Sequence, residues 1–258
     1  METSIVCATC GTQYQSAPAD NICFICKDDR QYLPVNGQQW TTLAELSASH
    51  HVQIKEITPA LFELEITPKF AIGQRALLVL HPEGNILWDC IPLLDAATVA
   101  FIREKGGLRG IAISHPHYYS NMRNWAEMFD CPVYLHEKDK AYIADHHPRV
   151  NNWTGTDLSL GNELRIVNTG GHFPGSCVLL AGDTLLCGDT MYLSPSMQHL
   201  AVMYSYPNRI PLPVAQARAV MEQIMDLPFN HLHGFYDYQN LRGNAKEILK
   251  QSMDWYQS

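Results

Sequence analysis

The chain has 258 residues, 46% of them hydrophobic, so it can bury a large core and still carry a small appendage. Its formal charge of -8 is spread along the chain without a basic run, which argues against nucleic acid or an anionic membrane as partner and leaves a small-molecule substrate as the expectation. No segment approaches the roughly 18 consecutive apolar residues of a membrane span, and the start METSIVCATC lacks a charged region followed by an apolar one, so a cytoplasmic address is expected.

The first segment holds Cys7, Cys10, Cys23 and Cys26 as two CxxC pairs twelve residues apart. Such pairs form knuckles whose sulfurs converge on one tetrahedral ion, and a stretch this short has few other ways to become rigid, so residues 1–30 are expected to be a structural zinc knuckle. Cys90, Cys131, Cys177 and Cys187 stand singly in apolar surroundings and read as buried small hydrophobes of a reduced compartment.

From residue 31 to 258 the pattern is that of a layered α/β domain. LFELEI, from Leu61, alternates as a strand with one wet face would, carrying Glu63 and Glu65 outward. RALLVLHPEGNILWDC gives two apolar runs around a Pro/Gly/Asn turn, a hairpin by its chemistry. A helix is expected from Asp95 to Lys105, stopped by Gly106 and Gly107, and the strand GIAIS then delivers the chain to SHPHYYS. Met122, Trp125, Met128 and Phe129 fall near helical spacing as a core stripe, and CPVYLHE reads as the next strand. NELRIVNTGGHFPGS and CVLLAGDTLLCGDT follow as strands ended by Gly-rich turns. Trp153 to Asp157 and Met191 to Tyr206 are the expected pocket-covering loops, unless they simply pack. Helices are expected over 213–225 and from about Asn244, with Glu247 placed as in a capping box.

His115 and His117, His172 in GGHFPGS, Asp189 in CGDT, and His231 and His233 in NHLHGF each end an apolar run. Imidazole and carboxylate donors suit zinc or iron, and a catalytic ion needs them on several strand ends with one face open. His50, His51, His146, His147 and His199 read as surface or loop residues.

These motifs in this order make the chain resemble the metallo-β-lactamase superfamily from roughly Leu61 onward, through NILWDC, SHPH, GHFPGS, GDT and the late His-Gly. The resemblance implies an αββα sandwich with metals at one edge. It implies that His115, His117 and His172 hold a first ion, that Asp189 reaches both metals, that His233 belongs to the second position, and that Asp89 is a buried structural residue beneath the site. The superfamily motif HxHxDH departs here, because its Asp and third His fall on Tyr119 and Ser120. One well-held ion, and a second held weakly or not at all, is therefore expected, with Asp189 or a tyrosine such as Tyr119 positioning water or protonating a leaving group, or with Tyr119 binding as a phenolate; Tyr118 and Tyr119 otherwise line or pack the pocket. The leading expectation is a zinc-dependent hydrolase of an ester, thioester, lactone, amide or phosphoester. The alternatives are a mononuclear non-haem iron dioxygenase and a non-catalytic module with a degenerate site.

Overall fold

The computed structural model describes residues 4–144 and 147–256. His146 lies outside them, so its expected loop position is not addressed.

Three short strands, β1 (Ile5–Cys7), β2 (Gln13–Tyr14) and β3 (Trp40–Thr42), form an N-terminal sheet around the four cysteines, and α1 (Leu43–Ser49) leads away from it. Thr42 caps α1 reciprocally with Glu45. The first large sheet follows from β4 (His51–Thr58), β5 (Leu61–Thr67), β6 (Ala76–Val79) and β7 (Ile86–Trp88), all antiparallel neighbours. After α2 (Ala96–Glu104), β8 (Gly110–Ala112) pairs parallel to β7; after α3 (Met122–Phe129), β9 (Val133–His136) and β10 (Val150–Trp153) extend the same edge in parallel. The second large sheet contains β11 (Asp157–Gly161), β12 (Leu164–Asn168), β13 (Cys177–Ala181) and β14 (Thr184–Leu186). Two small ribbons come next, β15 (Tyr192–Leu193) with β16 (Leu200–Ala201) and β17 (Met203–Ser205) with β18 (Ile210–Pro211). The chain closes with α4 (Val214–Met225), β19 (His231–His233) and β20 (Asn240–Leu241), both in the second sheet, and α5 (Ala245–Met253).

The layering follows from strands that are apolar on both faces. In β6, Leu77 and Val79 pack between the sheets with Trp88, Leu164 and Leu179, whereas Ala76 and Leu78 face the other way toward Ile102 of α2 and Trp125 of α3. In β13, Leu179 points into the inter-sheet core while Val178 and Leu180 pack on Val220, Met221 and Ile224 of α4 and Leu249 of α5. The result is helix, sheet, sheet, helix.

Four local expectations need correction. Glu63 is not on a wet face: it is buried between the Arg75 guanidinium (2.6 Å) and Lys55 Nζ (2.8 Å). Met128 leaves the expected core stripe and is 44% exposed, because it lies on the outer side of a helix whose buried face is Met122, Trp125 and Ala126. Asn244 adopts a left-handed conformation (φ 50°) with no side-chain cap, so no capping box forms with Glu247. Trp153 is a strand residue of the inter-sheet core rather than part of a covering loop.

Arg75 ties the two sheets together. Beside its pair with Glu63 it donates from Nε to the Gly234 carbonyl (3.0 Å) and from Nη2 to Gln239 O (3.2 Å) and Asn240 Oδ1 (3.0 Å), all beyond β19. Removing one partner of a buried ion pair strands the other, so Arg75→Ala should lower the unfolding free energy by about 3 kcal/mol or more, read from the denaturant midpoint.

Candidate metal centre

The donors come from the ends of three strands at one edge of the sandwich. Past β8 the backbone of Ser114 is fixed twice, its N–H donating to the buried Asp89 carboxylate (2.7 Å) and its carbonyl accepting from Cys177 N of the opposite sheet (2.9 Å). His115 then opens a 3-10 turn, Pro116–Tyr118. His172 lies in the loop from β12 to β13, and Asp189 in a 3-10 turn after β14. Gly188, at φ +47°, allows that last turn to close, because a Cβ there would meet Ser114 Oγ at 2.4 Å.

The ligand atoms of His115, His117, His172 and Asp189 all lie within 4.8 Å of one another, and all four residues are buried. His172 Nε2 is 3.3 Å from His117 Nδ1, and Asp189 Oδ2 is 3.5 Å from His115 Nε2 and 3.8 Å from His172 Nε2. A tetrahedron with metal–ligand distances of about 2.0–2.1 Å has edges of about 3.3–3.4 Å, so this donor set fits an ion of zinc's size after a small contraction. His115 Nε2 is buried with no hydrogen-bond partner, as a lone pair aimed at an ion would be. The opposite nitrogens are held: His115 Nδ1 against Ser114 Oγ (2.8 Å), and His172 Nδ1 donating to the Met203 carbonyl (3.3 Å), which leaves the His172 Nε2 lone pair facing inward.

Electrostatics favour the ligand forms. Burial, reinforced by His115, pushes His172 down to about 3, and burial likewise holds His117 well below the usual histidine range, so both rings stay neutral. Burial works against a charged Asp189, but the field of His115, its hydrogen bond, His172 and the Tyr118 hydroxyl outweigh it and hold the carboxyl below its ordinary value. Asp89, beneath the site as the resemblance implied, is pushed up to about 7 by burial.

The motif's two altered positions do not play the expected parts. The tyrosine at the centre is Tyr118, whose hydroxyl donates to Asp189 Oδ1. Tyr119, expected as a catalytic group or phenolate ligand, points instead toward the Asp139 carbonyl (3.5 Å), because the 3-10 turn rotates successive side chains apart. Ser120, at φ +44°, turns to the N-terminal segment: its hydroxyl donates to Gly11 O (3.3 Å) and its carbonyl accepts from Gln13 N (3.0 Å).

His233 is not among the residues gathered at the centre. It ends β19, is buried, and shares a hydrogen bond from Nδ1 with Asn240 Oδ1 (2.7 Å). His231 accepts from Gly243 N (2.9 Å) and faces Asp183, away from the site. His50 bonds Ser49, His147 pairs with Glu127, and His199 packs on Trp255, none of them at the centre.

Arg30 and Gln31 near the centre were missed, whereas Met203 and Tyr206 belong to the segment expected to cover the pocket. Tyr206 packs at a tilt beside His172 (5.4 Å between centroids), Arg30 donates from Nε to the His172 carbonyl (2.7 Å), Gln31 Nε2 lies 3.5 Å from His117 Nδ1, and Met203 holds His172 through its carbonyl. No local pattern marks Arg30 and Gln31, since they sit 142 and 86 positions from the residues they touch.

At the N-terminus the four cysteines form a second group with ligand atoms within 4.8 Å of one another. Sulfur separations of 3.7 Å (Cys7 and Cys26) and 3.5 Å (Cys10 and Cys23) are close to the edge of about 3.75 Å that a tetrahedral zinc with bonds of about 2.3 Å requires. Gln38 Nε2 donates to Cys7 Sγ (3.2 Å), and the Thr12 and Tyr14 hydroxyls reach Cys10 (3.1 Å) and Cys23 (3.2 Å), partners suited to thiolates. Hydrogen bonding from Cys10 first, then Cys23 and Cys26, holds the Cys7 thiol low. Cys90, Cys131, Cys177 and Cys187 are buried free thiols, as their surroundings implied.

Burial pushes His233 down to about 4 from the ordinary 6.5, so the unfolded chain takes up this proton first. Its contribution to stability is complete above about pH 6.5 and is lost as pH falls toward 4. In His233→Gln the acid-side slope of unfolding free energy in that window should be shallower by about 1.4 kcal/mol per pH unit, measured by denaturation at a series of pH values.

No family model matches the sequence. The chain is 38% identical over 256 residues to YmaE, an uncharacterized protein of Bacillus subtilis (strain 168), covering 96% of this chain and 93% of the relative. Its structure is similar to that of the metallo-β-lactamase FIM-1 from Pseudomonas aeruginosa in its mono-zinc form (TM-score 0.61, 13% identity, 80% of this chain and 94% of that one). It is also similar to the DIM-1 metallo-β-lactamase (TM-score 0.60, 14% identity, 80% and 97%) and to TTHA1623 in a di-iron-bound form (TM-score 0.55, 20% identity, 75% and 99%). The chain therefore belongs to the same family as YmaE, and its fold is that of the metallo-β-lactamases, with a four-cysteine cluster added at the N-terminus.

Proposed function

We propose that this protein is a metal-dependent hydrolase that cleaves a small-molecule ester, thioester, lactone, amide or phosphoester at a single zinc held by His115, His117, His172 and Asp189, with a second zinc in the cysteine knuckle. The observation that carries this reading is the division of the Asp189 carboxylate: Oδ2 faces the histidines, while Oδ1 accepts the Tyr118 hydroxyl. Tyr118 thus takes up the side of the carboxylate that a second ion would need, and His233 stands outside the group.

A bound zinc would supply Lewis acidity and lower the pKa of a water to about 7. The protein's own part is orientation. Burial and then the neighbouring Asp189 raise the Tyr118 hydroxyl well above its ordinary value, so it stays protonated and keeps Asp189 turned toward the histidines. Asp189 lines a cavity of about 880 Å³ together with Tyr32, Tyr192, Tyr206, Phe235 and Tyr236, an aromatic wall suited to the apolar parts of a substrate. The other charged residues on that lining, Lys69 and Arg209, are cations in a chain of net charge -8. A substrate with an apolar body and an anionic end fits this wall. The di-iron form of TTHA1623 makes iron the second reading, because the same imidazole and carboxylate donors accept it.

Elemental analysis of the purified protein should find two zincs per chain, one lost in Cys23→Ser and the other in His115→Ala. One iron lost with His115 would favour the oxidative reading, tested by oxygen uptake. Across a panel spanning the listed bond types, Asp189→Asn should abolish turnover and Tyr118→Phe should lower kcat by about 10- to 100-fold. Lys69→Glu should raise KM for anionic substrates and spare neutral ones. A fully loaded protein that turns over no member of the panel would sink the hydrolase reading.

A further inference from the structure

The chain runs directly from the last knuckle cysteine to the His/Asp centre. After Cys26 it turns tightly, with Lys27 N bonded to Cys23 O (3.1 Å) and Gln31 N to Asp28 O (3.0 Å), and five residues suffice to reach His117 and His172. The Arg30 guanidinium lies between two aromatic rings, 4.2 Å from the Phe173 centroid and 4.4 Å from that of Tyr204. Its Nη1 is 2.8 Å from both oxygens of Asp28, Asp28 accepts in turn from the Tyr142 hydroxyl (2.8 Å), and its Nε holds the His172 carbonyl. Gln31, 7% exposed, is next to a donor nitrogen of His117.

The same five residues are tied to the cavity wall. Ser205 Oγ donates to Arg30 O (2.9 Å), Asn208 Nδ2 donates to Asp29 O (3.1 Å) and Gln31 O (3.3 Å), and the Tyr204 hydroxyl bonds the Asp29 carboxylate. This hairpin is also the one whose Met203 carbonyl fixes the His172 tautomer. The strap therefore touches His172 on its backbone and, through the hairpin, on its ring.

We infer that Arg30 is a positioning residue of the His/Asp centre, and that the ion in the four-cysteine knuckle governs how tightly that centre holds its own metal by anchoring the strap that carries it. Without an ordered knuckle, residues 27–31 lose their fixed end, and the ordering cost of the His172 loop then falls on metal binding at the centre. The inference rests on the His/Asp group being a metal centre, not on which bond the protein cleaves. An outer partner of a metal-bound histidine is worth about 10- to 100-fold in metal affinity, which sets the effect to look for.

The test uses the full-length, metal-loaded protein and follows metal transfer to a chromogenic chelator, with His115→Ala identifying which phase belongs to which ion. Arg30→Ala should weaken retention at the His/Asp centre by about 10- to 100-fold while the knuckle ion is kept, and Arg30→Lys should not restore it, because an ammonium offers neither the planar stack nor the fork. In the cobalt-substituted protein, Arg30→Ala should alter the ligand-field bands of the His/Asp centre and leave the thiolate charge-transfer bands unchanged. Cys23→Ser should reproduce the loss at the centre. If that variant fails to fold, Arg30→Ala with Gln31→Ala decides the question. For Arg30→Ala, retention within twofold of the parent, or loss of both ions together as in general unfolding, would overturn the inference, as would a folded Cys23→Ser that holds the His/Asp ion within twofold of the parent. A parent protein with no ion at the His/Asp group would overturn both this coupling and the proposed function, and the parent's metal count separates that outcome from failure of the coupling alone.

Discussion

A sheet that is covered on both faces has room for unmatched polar side chains only at its ends, and that constraint organises this molecule. The inter-sheet core of Leu77, Trp88, Leu164 and Leu179 and the helix-covered faces around Leu78 and Val178 leave no room within the strands for an unmatched carboxylate, and Glu63, inside β5, is held there by its pair with Arg75. His115, His117, His172 and Asp189 therefore gather just past strand ends, at one edge, where two sheets bring different parts of the chain within a few ångströms. Inside the layers the same constraint demands that each buried charge be matched, and Arg75 meets it by joining Glu63 of one sheet to the β19–β20 turn of the other.

At the edge, a single carboxylate decides the character of the centre. Asp189 offers one oxygen to the histidines and gives the other to Tyr118. The donor set left for an ion is three imidazoles and one carboxylate oxygen, close to tetrahedral in its spacings, with the aromatic cavity lying on the Asp189 side. The positions at which the chain departs from HxHxDH are not idle. Tyr119 packs toward Asp139, and Ser120 receives the N-terminal segment through Gly11 and Gln13.

That contact makes the cysteine knuckle part of the working end of the molecule rather than a separate bead. It meets the main body beside the altered motif at Ser120, and again through Arg30 and Gln31 against His172 and His117. Tyr32 and Pro34, a little further on, contribute to the cavity wall, so the N-terminal segment helps to shape that space.

The sequence by itself determined the layers, the two groups of metal ligands and the departure from the superfamily motif, because these are written in local signals: runs apolar on both faces, Gly-punctuated turns, CxxC pairs and histidines at run ends. It also placed α2 within a residue at each end, since Asp95 is an N-cap that accepts from Thr98 N (2.8 Å). What only the tertiary structure decided depends on side-chain direction and on contacts distant in sequence. Alternation marked Glu63 as wet, but Arg75 arrives from the next loop and buries it. Adjacent tyrosines look equivalent in SHPHYYS, yet one tight turn sends Tyr118 to Asp189 and Tyr119 away from it. His233 matched a late motif, and the structure adds that its Nδ1 is engaged by Asn240 while the ring stands apart from the four gathered donors. Nothing in the local sequence of Arg30 and Gln31 told of a contact with the centre, because that contact exists only once the knuckle has folded against a loop 142 residues further along the chain.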